Sequence, residues 1–258
     1  MGIECVGQVV ETTRRDLQEG QKIVSIMGEM GRAFDGSYAE YALLPNEQIY
    51  PVDSQLPWSE LAAVPETYYT AFGSFKNLQI KEGDSILVRA ATSGVGLAFL
   101  KLVKAQFPQN RVVGAVRSLA KKDLLQHQGF DEIILNERGV LQTEEKFDKI
   151  LELVGPATLK NSFDHIQSAG IICNTGQLGG KWYVEEFDPI VEIKNNSFLT
   201  SFYSGNVSQQ LFDELFSYID VYQINVSPQR IFSLEQILAA HSYIESQVGF
   251  GKMVVLND

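Results

Sequence analysis

Residues 85–96 read Ser-Ile-Leu-Val-Arg-Ala-Ala-Thr-Ser-Gly-Val-Gly, and Leu-Ala-Phe-Leu-Lys follows. A short β-prone apolar run thus passes through a turn of small residues directly into a helix. Small residues let a backbone approach another group closely. The N-terminus of the helix offers unpaired N–H groups and about half a positive charge. This is how dinucleotide-binding folds cradle a pyrophosphate, with Ala91 and Ser93 around Gly94 and Gly96 in place of a strict G-x-G-x-x-G. The same residues also suit a tight structural turn that binds nothing. A second strand ending about 20 residues further on weighs toward the dinucleotide.

The surrounding pattern has the matching rhythm. Strands are expected at 85–88, 111–116, 132–135, 149–153 and 171–174, with helices at 67–78, 96–107, 118–128 and 156–167 between and before them. Such alternation means βαβ units and a parallel sheet with helices on both faces. One more strand is expected at 198–203. Residues 2–65 read differently, with short strands at 2–10 and 21–27, a period-two run at 37–44 (Ser-Tyr-Ala-Glu-Tyr-Ala-Leu-Leu), and glycines at 28, 31 and 36 between them. A short helix is expected at 58–64. Towards the end come a helix at 207–221, a strand at 228–232, a helix from Leu234 to Gln247 and a strand at 252–256. The last strand is too far along the chain to continue the parallel run, so it is assigned to the β-rich part.

Cofactor preference is read where the second strand ends. An NAD site usually places a carboxylate there for the ribose 2′-OH. Here the chain runs Val116-Arg-Ser-Leu-Ala-Lys-Lys122, with no carboxylate before Asp123. Arg117, Ser118 and Lys121 suit a 2′-phosphate, each charge-assisted hydrogen bond being worth roughly 1.5–3 kcal/mol. Read otherwise, they are solvated charges on a helix. Basic residues in a first helical turn oppose the helix dipole, which favours an anion partner and hence NADP.

Composition narrows the remaining classes. The 258 residues are 45% hydrophobic and 21% charged, which is ordinary globular usage. Lys and Arg number 21 against 32 Asp and Glu, a net charge of −11 that repels nucleic-acid backbones. No stretch approaches the ~20 apolar residues of a membrane span, and the first residues do not read as a signal peptide, so a cytoplasmic protein is expected. The two cysteines, Cys5 and Cys173, cannot form a disulfide framework or a four-cysteine zinc site, and both read as inert thiols. His127, His165 and His241 fall on expected helices and read as structural. No three ligands for a catalytic metal assemble.

Taken jointly, several segments resemble the medium-chain dehydrogenase/reductase superfamily, and specifically its zinc-free quinone oxidoreductase (zeta-crystallin-like) branch. They are Gly2-Ile-Glu-Cys-Val-Gly7, Gly36-Ser-Tyr-Ala-Glu-Tyr-Ala42, Ala62-Ala-Val-Pro-Glu-Thr-Tyr-Tyr-Thr-Ala71, Glu82–Val88, Ala91–Gly96 and Gly251–Leu256. The resemblance implies an α/β fold: a doubly wound Rossmann domain over 67–203, inside a discontinuous GroES-like β-rich domain made of 1–66 and 204–258. In relatives the G-x-E-x-x-G segment lies well inside the chain. Its position at residue 2 therefore implies that the leading part of the GroES-like domain is absent, leaving strand edges unpaired.

By position, the resemblance also implies NADPH in the cleft between the domains. Thr70 would face the nicotinamide region. Ser93, Gly94 and Val95 would touch the pyrophosphate, and Arg117, Ser118 and Lys121 the 2′-phosphate. Gly176 and Gln177 would lie near the nicotinamide ribose. Relatives often carry a Tyr beside the adenine where this chain has Asn136. Residue 3 is Ile, where the zinc-dependent branch has a His before its glutamate.

The implied reaction is NADPH-dependent reduction of a quinone or an α,β-unsaturated carbonyl, with a small electrophilic acceptor as partner and neither nucleic acid nor membrane. The alternatives are a catalytically degenerate NADPH-binding protein and a zinc-type alcohol dehydrogenase relative. No catalytic acid is assigned: Tyr41, Tyr68, Tyr69 and Tyr203 are possible donors but read first as core tyrosines. Trp182 and Tyr183 suit an apolar pocket or a cover for the sheet. The strand within 195–203 reads as a sheet edge, through which the resemblance implies a homodimer.

Overall fold

The structure, a computed structural model, describes every residue except Gln247 and Asp258. The chain divides into two compact units, Thr70–Tyr203 and the combination of Met1–Tyr69 with Ser204–Asp258.

The first of these is built on one sheet. Its strands are β4 (Ile86–Arg89), β5 (Val112–Val116), β6 (Glu132–Glu137), β7 (Val140–Leu141), β8 (Phe147–Glu152), β9 (Ile166–Asn174) and β10 (Phe198–Ser201), the numbering leaving β1–β3 for the other unit. Their order across the sheet is β10-β9-β8-β4-β5-β6-β7. All neighbours run parallel except β7, which folds back on β6. β4 and β5 are buried along their whole length, which is why they read as unbroken apolar runs instead of alternating ones. Between the strands lie α3 (Gly94–Gln106), α4 (Lys122–His127), α5 (Leu159–Asp164) and the short α6 (Pro189–Glu192). Leu87, Val113, Ala115, Ile150, Phe163 and Ile172 belong to one core cluster. Gly96–Leu100, Leu102 and Val103 are buried, so the first half of α3 is covered on every face.

The topology fixes where a ligand can bind. From β4 the chain steps outward through β5 to β6, then returns to β8 on the other side of β4 and steps outward again through β9 to β10. The winding reverses between β4 and β8, so the loops leaving their C-terminal ends part in opposite directions and open a crevice.

Two sequence expectations in this unit need correction. The helix at 118–128 is interrupted: Ser118 caps a 3-10 turn over Leu119–Lys121, and only then does α4 begin. The helix at 156–167 shrinks to α5, because β9 already starts at Ile166 and pairs beside Phe147. A register shift and a left-handed Ala169 (φ 58°) let this strand bend and resume pairing at Ile171. The expected strand at 171–174 is thus the second half of a longer one.

The other unit holds β1 (Glu4–Gln8), β2 (Lys22–Ile26) and β3 (Tyr50–Pro51) in an antiparallel sheet of that order. It also contains α1 (Trp58–Leu61), the start of α2 (Pro65–Leu78), α7 (Gln209–Tyr222), α8 (Ile237–Glu245) and the parallel pair β11 (Arg230–Ser233) and β12 (Met253–Leu256). Val24, Ile26, Met30, Leu61, Phe212 and Leu215 are buried, and the Tyr69 and Phe212 rings lie 4.6 Å apart. Glu4 joins distant segments: its Oε2 accepts the N–H of Glu66 at 3.0 Å and its Oε1 pairs with Lys252.

The strand expected at 37–44 does not form. Ser37 and Tyr38 donate to the carbonyls of Gly2 and Met1, and beyond them no ladder neighbour exists among the described residues. Alternation alone cannot make a strand without a partner to take its hydrogen bonds. Tyr41 and Leu43 are left exposed, and the segment borders an open cavity that β1 and β12 also line. Of the helix expected from Leu234 to Gln247, Leu234–Gln236 is a 3-10 turn and α8 follows; its expected end at Gln247 lies outside the described residues. No helix among the described residues is long and apolar enough to cross a membrane.

Candidate functional site

The turn after β4 is held by its own backbone. Ala90 is left-handed (φ 60°), the N–H of Ser93 donates back to its carbonyl at 3.0 Å, and the N–H of Ala91 donates to Ala115 on β5 at 3.2 Å. Ser93 then caps α3, its Oγ accepting the N–H of Gly96 at 3.0 Å. Leu97 donates to the Ser93 carbonyl. That leaves the N–H groups of Gly94 and Val95 with no acceptor among the described residues. Two uncommitted, half-exposed donors at the positive end of a 13-residue helix fit a pyrophosphate.

Because the strands are parallel, the other candidate residues follow C-terminal ends on this same edge of the sheet. Arg117 and Ser118 come directly after β5 and are exposed; Ser118 Oγ accepts the N–H of Ala120 at 3.3 Å. Lys121 closes the 3-10 turn, and partial desolvation lowers the pKa of its ammonium. The residues between β5 and Asp123 carry no negative charge.

Gly176 and Gln177 follow β9, where two loops are zipped together. Thr175 and Gly176 donate to the carbonyl of Glu152, Leu178 to that of Leu153 and Gly179 to that of Val154, at 2.8–3.2 Å. Thr70 is buried on α2, and a short chain of hydrogen bonds links it to this loop: Ser74 Oγ donates to the Thr70 carbonyl and contacts Thr175 Oγ1, each at 2.8 Å. Asn136 does not take the place of an adenine-stacking ring. It is buried, and its Oδ1 accepts from Arg89 at 3.3 Å.

Sequence reasoning missed the most constrained charges of this unit. Arg89 and Glu152 end adjacent strands, β4 and β8, and both side chains are fully buried. Glu152 Oε1 accepts the N–H groups of Val154 and Gly155 at 2.9 and 3.0 Å, and Oε2 accepts Ser162 Oγ at 2.6 Å. Arg89 donates to Thr158, Ser162, Asn136, Gly139 and Asn161 at 2.8–3.3 Å. Its Nε lies 3.6 Å from Glu152 Oε2, within ion-pair range but too far for a hydrogen bond. Burial lowers the pKa of Arg89 and the Glu152 charge raises it. The available signal was an ionisable residue directly after a short apolar run at the C-terminal end of each strand, Ile86-Leu-Val before Arg89 and Ile150-Leu before Glu152.

The tyrosine expectation holds in half of its cases. Tyr68 and Tyr69 are buried, whereas Tyr41 and Tyr203 are exposed, as are Trp182 and Tyr183. His127 and His241 lie on helices, while His165 lies just past α5, buried, with Nδ1 3.0 Å from the Glu145 carbonyl. Cys173 is buried and burial raises its pKa. Among the described residues no three of His, Cys, Asp and Glu converge as metal ligands.

Residues 128–255 match the family described as zinc-binding dehydrogenase. A putative quinone oxidoreductase of Bacillus subtilis, YhfP, is 28% identical over 190 residues, covering 70% of this chain and 57% of its own length. The quinone oxidoreductase of Sus scrofa is 24% identical over 98% of this chain and 77% of its own length. The chain thus spans little more than half of the Bacillus relative. The crystal structure of yhfP with NAD bound superposes with a TM-score of 0.84, at 22% identity, over 99% of this chain and 81% of that one. The yhdH oxidoreductase from Salmonella enterica in complex with NADP also reaches 0.84, at 17% identity, over 98% and 80%.

Proposed function

We propose that the chain belongs to the medium-chain dehydrogenase/reductase superfamily, in its zinc-free quinone oxidoreductase branch, and that it is an NADPH-dependent reductase of quinones or α,β-unsaturated carbonyls, a reading supported by the matching family and relatives. The observation that carries this reading is the Ser93-capped N-terminus of α3, with its two uncommitted N–H groups, at the point where the sheet reverses its winding.

When bound, the dinucleotide supplies the hydride. The chain binds and orients. Gly94 and Val95 donate to the pyrophosphate, with Ser93 fixing the turn that aims them. Arg117, Ser118 and Lys121 hold the 2′-phosphate by charge-assisted hydrogen bonds, which a 2′-hydroxyl would not repay. Gly176 and Gln177 present backbone to the nicotinamide ribose, and Thr70 stands behind them through Ser74 and Thr175. Negative charge grows on the acceptor's oxygen and a solvent proton completes the reduction, so no dedicated acid is required.

The test is calorimetric titration with NADPH and NADH, followed by NADPH consumption with a panel of quinones and enones. Tight NADPH binding, weaker NADH binding and turnover of at least one acceptor are expected. NADPH binding without any turnover would favour the degenerate reading, and no binding of either dinucleotide would end both.

Among the described residues β10 pairs with β9 alone, and Phe198 and Leu199 on it are exposed. In this reading β10 is the seam of a homodimer. A monomeric mass by light scattering at micromolar concentration would refute it.

A further inference from the structure

The Arg89–Glu152 pair lies at the winding reversal of the sheet, and the proposed chemistry does not use it. Burying a carboxylate and a guanidinium together is rarely worth its desolvation for stability alone. Here the carboxylate has a specific task. With Oε1 it gathers the N–H groups of Val154 and Gly155, the first turn of the loop leaving β8.

That loop has no freedom to move by itself. Gly155 sits at φ 87°, and a Cβ there would lie 2.3 Å from the carbonyl oxygen of Gly176. Four backbone donors, from Thr175, Gly176, Leu178 and Gly179, land on residues 152–154. A shift of the 153–155 backbone is therefore passed to Gly176 and Gln177. Arg89 completes the device. It precedes the left-handed Ala90 of the α3 turn, neutralises Glu152, and ties it to α5 and to the turn between β6 and β7.

We propose that Glu152 is a positioning residue for the nicotinamide half of the cofactor. Its carboxylate sets the 153–155 loop and, through it, Gly176 and Gln177, with Arg89 as the buried counter-ion. The inference rests on the dinucleotide reading above. It predicts a division of affinity that a general loss of stability would not produce, because the adenosine half of the ligand is assigned to the α3 turn and to residues 117–121 and not to the 153–155 loop.

The experiment compares NADPH with adenosine 2′,5′-bisphosphate, which carries the adenosine half alone, by calorimetry on the full chain. In Glu152→Gln, NADPH binding should weaken about tenfold while the bisphosphate stays within about twofold of wild type. Glu152→Asp should recover part of the NADPH affinity. Leaving Arg89 buried without a counter-ion risks unfolding, so the double variant Arg89→Met with Glu152→Leu removes both charges at similar volume and should show the same split. Unchanged NADPH affinity in the folded variants, or equal losses for the two ligands, overturns the proposal. A wild-type chain that binds the bisphosphate and NADPH equally well also overturns it. A wild-type chain that binds neither overturns the dinucleotide reading itself.

Discussion

A Cβ on Gly176 would lie 2.1 Å from the carbonyl oxygen of Leu153, closer than any side chain tolerates. Gly176→Ala must therefore push apart the loops leaving β8 and β9. The clash is with backbone, which cannot rotate away as a side chain does. A loss of about 2–4 kcal/mol is expected, the range for strain at a tightly packed position. Chemical denaturation of the variant measures it, and an unchanged midpoint would show that the loops are looser than described.

Arg117→Ala and Lys121→Ala test the cofactor preference directly. Each should remove one charge-assisted contact to the 2′-phosphate and weaken NADPH about tenfold, roughly 1.5 kcal/mol. NADH, which lacks that phosphate, should bind within about twofold of its original affinity. Parallel titrations with both ligands decide it, because equal losses would place these residues elsewhere in the site.

Glu4→Ala should destabilise the unit formed by residues 1–69 and 204–257. Its carboxylate accepts the N–H of Glu66, which α2 cannot satisfy internally, and pairs with Lys252. Losing an acceptor at a helix start together with a partly buried ion pair costs about 1–2 kcal/mol. Thermal melting should drop accordingly, and Glu4→Gln, which keeps an acceptor, should recover part of the loss.

Cys5 gives a pH dependence of definite sign. Burial, helped by the charge of Glu4, raises its pKa from 9.0 to about 12. The folded chain thus holds the thiol neutral where the unfolded chain would already ionise it. Its contribution is fully present below about pH 9 and is lost as pH climbs toward about 12. Denaturation midpoints near pH 8 and near pH 11 measure the decline, which should be smaller in Cys5→Ala.

Much of the parallel sheet was legible because burial on both faces writes itself as unbroken apolar runs, as in Ile86-Leu-Val and Val112-Val-Gly-Ala-Val116. The α3 turn was legible for the same local reason, since small residues and a Ser cap act within a few positions. What escaped depended on partners distant in sequence. The run at 37–44 has the right alternation but no neighbouring strand. The bend in β9 at Ala169 follows from a register shift against β8. Nothing local marks Asn136, and only the fold shows that its Oδ1 accepts from Arg89. Nor could spacing reveal that Glu152, 63 positions from Arg89 by number, would share its burial.

The pairing of Glu4 with Lys252, and of Asn257 Nδ2 with the Ala39 carbonyl, has a consequence for synthesis. On the ribosome the first 69 residues emerge long before the segment after residue 203 that completes their unit, whereas residues 70–203 are made without interruption. The Rossmann unit is thus positioned to finish folding first, while the opening segment waits, its apolar strands without their C-terminal cover. Nascent chains arrested about 40 residues beyond Tyr203, with the following segment still held in the ribosomal tunnel, should protect the interior of that unit from protease and leave residues 1–69 open to cutting.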